Sequence, residues 1–326
     1  MEDKKKNENQ RSPLVVVCGP TGIGKTTAAI DIARRFDGEI IGADAMQVYR
    51  RMEIGTAKPS ADEQALVRHH LIDVVEPDEP FDAYRYCELA RQAAAELQAR
   101  EVLPVVAGGT GLYIKALLYG VFQGDPPDPR LRRRLQEEAA RRGPRALHRR
   151  LEDIDPEAAE RIHPNDSFRI IRALETVEAT GETITAHQNR HRFQDSPYRV
   201  FKIGLHMDRD RLYERINNRV ESMLQSGFVQ EVQHLLAAGC SPELKSMQSL
   251  GYRHVVAYLQ DRLSWEEAVR TMKRDHRRYA KRQLTWFRSD PQIVWTEPQQ
   301  ISELYAAIGD FLANPSRGQE SSGHNV

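Results

Sequence analysis

The apolar run Leu14-Val15-Val16-Val17-Cys18 leads directly into Gly19-Pro20-Thr21-Gly22-Ile23-Gly24-Lys25-Thr26. Apolar residues at helical spacing follow: Ala28, Ala29, Ile32, Ala33 and Phe36. A β-branched run, a Gly-x-x-x-x-Gly-Lys-Thr loop and an amphipathic helix in that order make the phosphate-cradling P-loop unit. The glycines let the backbone curl so that successive N–H groups converge on phosphate oxygens. The helix that follows adds the positive end of its dipole. Lys25 is expected to reach the terminal phosphate, and the Thr26 hydroxyl to hold Mg²⁺. A diphosphate or triphosphate is the ligand this stretch calls for.

The strand and helix patterns continue to alternate. Glu39-Ile40-Ile41-Gly42-Ala43-Asp44 is a short apolar run closing on a carboxylate, and His70-Leu71-Ile72-Asp73-Val74-Val75 is a third candidate strand. Residues 83–99 are helical in pattern, and Leu103-Pro104-Val105-Val106-Ala107 is a buried strand closing on Gly108-Gly109-Thr110-Gly111. Such alternation implies a parallel sheet with helices on both faces, and ligands gather at the carboxyl ends of its strands. Residues 19–26, Asp44 and residues 108–111 all fall at such ends and should face one crevice.

Composition shifts at the proline-rich hinge Gln123-Gly124-Asp125-Pro126-Pro127-Asp128-Pro129, after which residues 130–194 are helical and arginine-rich. Residues 198–204 read as a strand returning to the sheet. From Asp208 the chain is helical again, with a break near Gly227 and a stop at Gly239. The expected fold class is α/β: a P-loop NTPase-like parallel sheet flanked by helices, with a mainly helical insertion and a helical C-terminal part. The expected divisions are a tail at 1–12, a first core segment at 13–122, the insertion at 123–197, a second core segment at 198–313, and a tail at 314–326.

At 326 residues the chain is long enough for a full core and a second domain. Lys and Arg together number 47, as do Asp and Glu, so any nucleic-acid footprint has to be local. Two clusters supply one. Arg130, Arg132, Arg133, Arg134, Arg141, Arg142, Arg145, Arg149 and Arg150 are opposed in their own span only by Glu137 and Glu138. In residues 270–288, Val269, Met272, His276, Tyr279, Gln283 and Trp286 form a stripe that reads as core, with Lys273, Arg274, Arg277, Arg278, Lys281 and Arg282 off it. The basic remainder is suited to a phosphate backbone. Cys18, Cys87 and Cys240 stand at unrelated spacings, so neither a disulfide framework nor a zinc site is expected. No apolar run approaches the ~20 residues of a membrane span. The polar first eleven residues do not read as a signal peptide. A cytoplasmic protein is expected.

An ordinary P-loop ATPase closes a strand on a second metal-binding Asp. Here the strand at 103–107 closes on Gly108-Gly109-Thr110 instead, which weakens motor and switch readings. Asp44 is placed to face the P-loop, where a carboxylate can take a proton from an attacking nucleophile. Further blocks add specificity: Asp44-Ala45-Met46-Gln47-Val48-Tyr49, Ile54-Gly55-Thr56-Ala57-Lys58-Pro59 and Gly108-Gly109-Thr110-Gly111-Leu112-Tyr113. So do His163-Pro164-Asn165-Asp166, Gly251-Tyr252-Arg253 and Lys281-Arg282-Gln283-Leu284-Thr285-Trp286-Phe287-Arg288. In this order, across residues 15–295, they resemble the blocks of bacterial tRNA dimethylallyltransferases, also called tRNA isopentenyltransferases.

The resemblance implies dimethylallyl diphosphate as donor, its diphosphate cradled by Gly19, Pro20, Thr21, Gly22, Ile23, Gly24, Lys25 and Thr26. It implies, as acceptor, the exocyclic amine of adenine 37 beside the tRNA anticodon. Asp44 would take the amine's proton, and Thr21 and Arg219 would brace the diphosphate, with Arg215 the fallback. The RNA side would comprise Asp44, Ala45, Met46, Gln47, Thr110, Arg132, Phe168, Arg169, Ile170, Ile171, Arg172, Gln248, Ser249, Leu250, Gly251, Tyr252 and Arg253. The arginine-rich insertion would grip the anticodon stem-loop, and a monomer is expected. This sequence departs from the family at Gly22, where Ala is frequent, and at Ala45, where Ser is usual. Three rivals stand beside this reading. They are a P-loop kinase of a small metabolite, a prenyltransferase of free adenosine nucleotides, and a non-catalytic RNA-binding protein with a relic P-loop. Intact Lys25, Thr26 and Asp44 argue against the third.

Overall fold

The computed structural model describes residues 11–121, 128–191 and 196–314. Most of the two expected tails and residues 123–127 of the hinge lie outside the described residues, as do 192–194 of the expected helical stretch. The described chain forms two compact units. One comprises residues up to Leu118 and from Pro197 on; the other is Tyr119–Ser196.

The larger unit is built on six parallel strands: β1 (Ser12–Cys18), β2 (Gly38–Gly42), β3 (His69–His70), β4 (Leu103–Gly108), β5 (Tyr198–Leu205) and β6 (Val294–Thr296). Their spatial order is β3-β2-β4-β1-β5-β6. β1 lies between β4 and β5, with Cys18 level with Gly108 on one side and Gly204 on the other. Leu14, Val15, Val16 and Val17 are all buried, as a strand covered on both faces requires. The return strand thus joins the sheet directly beside the P-loop strand.

Helix α1 (Lys25–Arg35) starts off the P-loop and presses Ala28, Ala29, Ile32 and Ala33 onto the core. Next come α2 (Ala61–Leu66), α3 (Ala83–Ala99) and α4 (Gly111–Tyr119). Asp82 caps α3 by accepting from the backbone N–H groups of Tyr84 and Arg85. The expected strand at 70–75 is corrected. Leu71 and Asp73 adopt φ of 63° and 56°, so the chain turns after His70, and the backbone of 73–75 bonds instead to 47–50, with Val75 bridged to Tyr49.

The smaller unit holds α5 (Pro129–Arg142), α6 (Pro144–Ile154), α7 (Pro156–Arg161), α8 (Ser167–Thr180) and α9 (Ile184–His191). It has its own core of Leu135, Leu147, Leu151, Ala159, Ile170, Ile171, Ala173 and Leu174. In the larger unit, α10 (Arg209–Gln225) and α11 (Phe228–Ala237) are separated at Gly227. They are followed by α12 (Tyr252–Leu259), α13 (Trp265–Arg288), a 3₁₀ turn at Pro298–Leu304 and α14 (Tyr305–Ala313). No helix among the described residues is long and apolar enough to cross a membrane.

Candidate active site

At the carboxyl ends of β1, β2 and β4 lies a cavity of about 310 Å³. The P-loop contributes Thr21, Gly22, Gly24, Lys25 and Thr26, and the segment after β2 contributes Asp44, Ala45, Met46 and Gln47. Gly55, Thr56 and Ala57 form another wall, with Arg219 and Met223 from α10. Ser249, Leu250 and Tyr252 enter around the start of α12, and His276, Tyr279 and Gln283 descend from α13. All lie in the larger unit.

Lys25 Nζ donates to the Pro20 carbonyl at 2.9 Å, arching back over its own loop. Burial, then the neighbouring Arg219 charge, push the Lys25 ammonium down to about 8, against a smaller upward pull from Asp44. Arg219 is likewise lowered by burial, and Asp44 opposes the shift. Its Nε is buried without a hydrogen-bond partner. An enclosed guanidinium N–H left unpaired is costly unless a ligand completes it. Arg215 lies outside the cavity, exposed, with Nε donating to the Gly22 carbonyl at 3.1 Å. The geometry therefore separates the two arginines: one faces the cavity and the other splints the loop.

Gly22 has φ 77°, and a Cβ there would stand 3.1 Å from Ile216 Cγ1, so the glycine relieves both strain and crowding. The Thr21 N–H donates to Gln283 Oε1 at 2.8 Å, and Gln283 Nε2 donates to the Gly109 carbonyl at 2.9 Å. One side chain on α13 thus ties the P-loop to the loop after β4. Thr21 is left its side chain for any ligand.

Asp44 Oδ1 accepts from the N–H of Met46 at 2.8 Å and of Gln47 at 3.4 Å, which fixes the carboxylate over its own turn. Thr110 sits behind this turn and is not on the cavity wall; its Oγ1 accepts from the Ala45 N–H at 3.1 Å. The Tyr279 phenol bonds to Thr110 and Gln283, and burial pushes it up to about 12. His276 is held down to about 4, chiefly by burial, and its Nδ1 donates to the Met272 carbonyl at 2.9 Å. It is a neutral imidazole at physiological pH.

Other expected residues fall away from the cavity. Gln248 is exposed and donates to the Pro242 carbonyl, Arg253 pairs with Asp275 at 2.7 Å, and Gly251 precedes α12 with φ 93°. Arg132, Phe168, Arg169, Ile170, Ile171 and Arg172 belong to the smaller unit. There Ile170 and Ile171 are buried in that unit's core, while Phe168, 76% exposed, and Arg169 are open and Arg172 is half-buried. Arg132 spends its guanidinium on Glu175, at 2.6 and 2.7 Å.

Sequence reasoning missed His276, Tyr279 and Gln283 as wall residues, having placed their stripe in the core. It also assigned no role to Gly55, Thr56 and Ala57, although their block stood out.

Residues 47–290 match the family described as IPP transferase. A tRNA dimethylallyltransferase of Desulfosudis oleivorans is 55% identical over 290 residues, covering 89% of this chain and 92% of that one. The crystal structure of a full-length tRNA isopentenylpyrophosphate transferase from Bacillus halodurans is 40% identical. It covers 94% of this chain and 98% of its own, with a TM-score of 0.70. A eukaryotic dimethylallyltransferase, solved in the course of acting on tRNA, aligns with a TM-score of 0.79 at 26% identity, covering 95% of this chain and 82% of its own. With a P-loop cavity that faces a carboxylate across parallel strand ends, and with matches of this length and identity, the chain belongs to the IPP transferase family.

Proposed function

We propose that the protein transfers the dimethylallyl group from dimethylallyl diphosphate to the exocyclic amine of adenine 37 in tRNA, giving isopentenyladenosine and releasing diphosphate. One observation carries the reading: Lys25 and Arg219, whose buried Nε has no hydrogen-bond partner, share a single cavity with the oriented carboxylate of Asp44.

The P-loop N–H groups, Lys25 and Arg219 bind the diphosphate and stabilise the charge that grows on it as the allylic C–O bond breaks. The adenine amine forms the new N–C bond, and its proton passes to the Asp44 carboxylate. No phosphoryl group moves. The base has to leave its stack to bring its amine to Asp44 on the cavity wall. A metal ion is suited to the donor side, and we assign it as Mg²⁺. Among the described residues no three His, Cys, Asp or Glu side chains stand together to cage a cation. Thr26 on the cavity wall and the diphosphate's own oxygens would hold the ion, which fits the preference of Mg²⁺ for phosphates, waters and few protein ligands. When bound, it neutralises diphosphate charge.

The anticodon stem-loop is the RNA element proposed to dock, with the smaller unit's arginines on its backbone. The working unit in this reading is the monomer, in the cytoplasm.

The test is incubation with labelled dimethylallyl diphosphate and unmodified tRNA carrying adenines at positions 36 to 38. Label is expected to enter the tRNA without ATP, and Asp44→Ala to slow transfer by about two to four orders of magnitude. Equal transfer by the variant overturns Asp44 as base. Labelling of free AMP but not of tRNA overturns the acceptor, and phosphate transfer from ATP overturns the reaction class.

A further inference from the structure

Behind the wall formed by Gly55, Thr56 and Ala57 stands a carboxylate that the reaction itself does not use. Glu231 on α11 accepts four hydrogen bonds. Its Oε2 takes the N–H of Glu53 at 2.9 Å and of Ile54 at 2.7 Å. Its Oε1 takes the N–H of Gly55 at 3.2 Å and the hydroxyl of Tyr252 at 2.6 Å. Three consecutive backbone N–H groups converging on one anion form a nest, here closed by the protein's own side chain. The carboxylate's four acceptor positions are all used.

The turn held in this way is also attached on its other side. Gln47 Nε2 donates to the carbonyls of Thr56 at 3.3 Å and Ala57 at 3.1 Å. The Gln47 N–H is one of the two that orient Asp44. Gly55 is pressed so closely that a Cβ would fall 2.2 Å from Phe228 Cε2 and 2.5 Å from Tyr252 Cε2. The rings of Phe228 and Tyr252 meet edge to face at 4.9 Å. A continuous series of contacts therefore runs from Glu231 through the turn at 53–57 to Gln47 and Asp44. None of its members belongs to the P-loop.

We infer that Glu231 is a positioning residue for the acceptor half of the cavity. It holds the turn at 53–57 and Tyr252 so that Gln47 and Asp44 meet the incoming amine in a fixed place, while Lys25 and Arg219, which organise the diphosphate half, lie outside this series of contacts. This rests on the proposed prenyl transfer.

Glu231→Gln keeps the shape but turns an acceptor into a donor facing backbone N–H groups. Tyr252→Phe removes one of the four donors and leaves the ring. Steady-state kinetics with each substrate varied in turn should show kcat/KM for tRNA reduced about tenfold to a hundredfold in Glu231→Gln and less in Tyr252→Phe. KM for dimethylallyl diphosphate should stay within about twofold. A role in overall folding alone would lower the titre of active sites and leave kcat per active site and both KM values unchanged, and that result overturns the proposal. A rise in both KM values does so as well.

Hydrogen exchange supplies an arm that needs no turnover. In Glu231→Gln, amides of residues 47–58 should exchange about tenfold faster or more, with residues 19–26 unchanged. Unaltered exchange at 47–58, or equal acceleration throughout, overturns the positioning role. Failure of the wild-type protein to prenylate tRNA would instead overturn the functional reading, with the exchange arm still deciding whether Glu231 holds the turn.

Discussion

Lys25 carries its charge in a place that disfavours charge. Burial and the Arg219 guanidinium both depress it, to about 8, while Asp44 and then Cys18 pull the other way. The protonated form binds diphosphate, so kcat/KM for dimethylallyl diphosphate should be level below about pH 8 and fall above it. The limb in kcat should lie higher, because bound diphosphate favours the ammonium. Arg219→Gln removes one depressing charge, so it should move the kcat/KM limb to higher pH while weakening the donor at every pH. A pH profile of the two proteins checks both; a limb that stays in place in Arg219→Gln would detach it from Lys25. At this scale the sequence was informative about residue types and less so about their choice. The Gly-Lys-Thr spacing placed Lys25 and Thr26, and both line the cavity. Spacing left Arg215 and Arg219 open, because residues four apart share a helix face. The two are separated by depth: Arg219 Nε is buried, and Arg215 reaches the loop from outside.

Among the elements, α13 does most to join loops that are distant in sequence. Gln283 spans Thr21 and Gly109, and Tyr279 reaches Thr110, which in turn holds the Ala45 N–H. Gln283→Leu keeps the volume and strands a part-buried N–H and a buried carbonyl. It should cost about 1–3 kcal/mol, seen as a lower urea midpoint. It should also lower kcat/KM for both substrates, in contrast to the one-sided loss expected at Glu231. An unchanged midpoint together with unchanged kinetics would remove Gln283 from that role. The stripe on α13 shows why this was hidden. A 3.6-residue period identifies the side facing inward but not whether that side meets packed core or a cavity wall. Met272 is core, whereas His276 and Gln283, equally buried, line the cavity. The strands divide in the same way. β1, β4 and β5 are long β-branched or apolar runs and were legible. β6 is three residues long, and β3 ends where Leu71 and Asp73 take positive φ, features set by neighbours rather than by local pattern.

For the whole molecule, a balance of 47 basic against 47 acidic residues conceals how the charge is distributed. The arginine run at 130–150 is partly neutralised within its own unit, because helix α8 supplies carboxylates that the local sequence did not reveal. Glu175 takes Arg132, and Glu178 takes Arg134 and Arg150. Arg142 lies 3.5 Å from Glu138. Arg130, Arg133, Arg141, Arg145 and Arg149 are exposed and make no ion pair among the described residues. These five, rather than all nine, are the cations free to release counterions from a phosphate backbone. Changing them together to Gln removes exposed charge from helix surfaces and should alter stability little, within about 0.5 kcal/mol per site. KM for dimethylallyl diphosphate should not move, since the donor cavity lies wholly in the other unit. Affinity for tRNA should fall most at low salt. The slope of log K against log salt should become shallower by about 0.7–0.9 for each phosphate no longer neutralised. Titrations of both proteins across a salt series read this directly. A slope that stays the same would mean that the smaller unit's arginines do not carry the RNA binding, and that the exposed Lys281 and Arg282 on α13 are where the search for it should move.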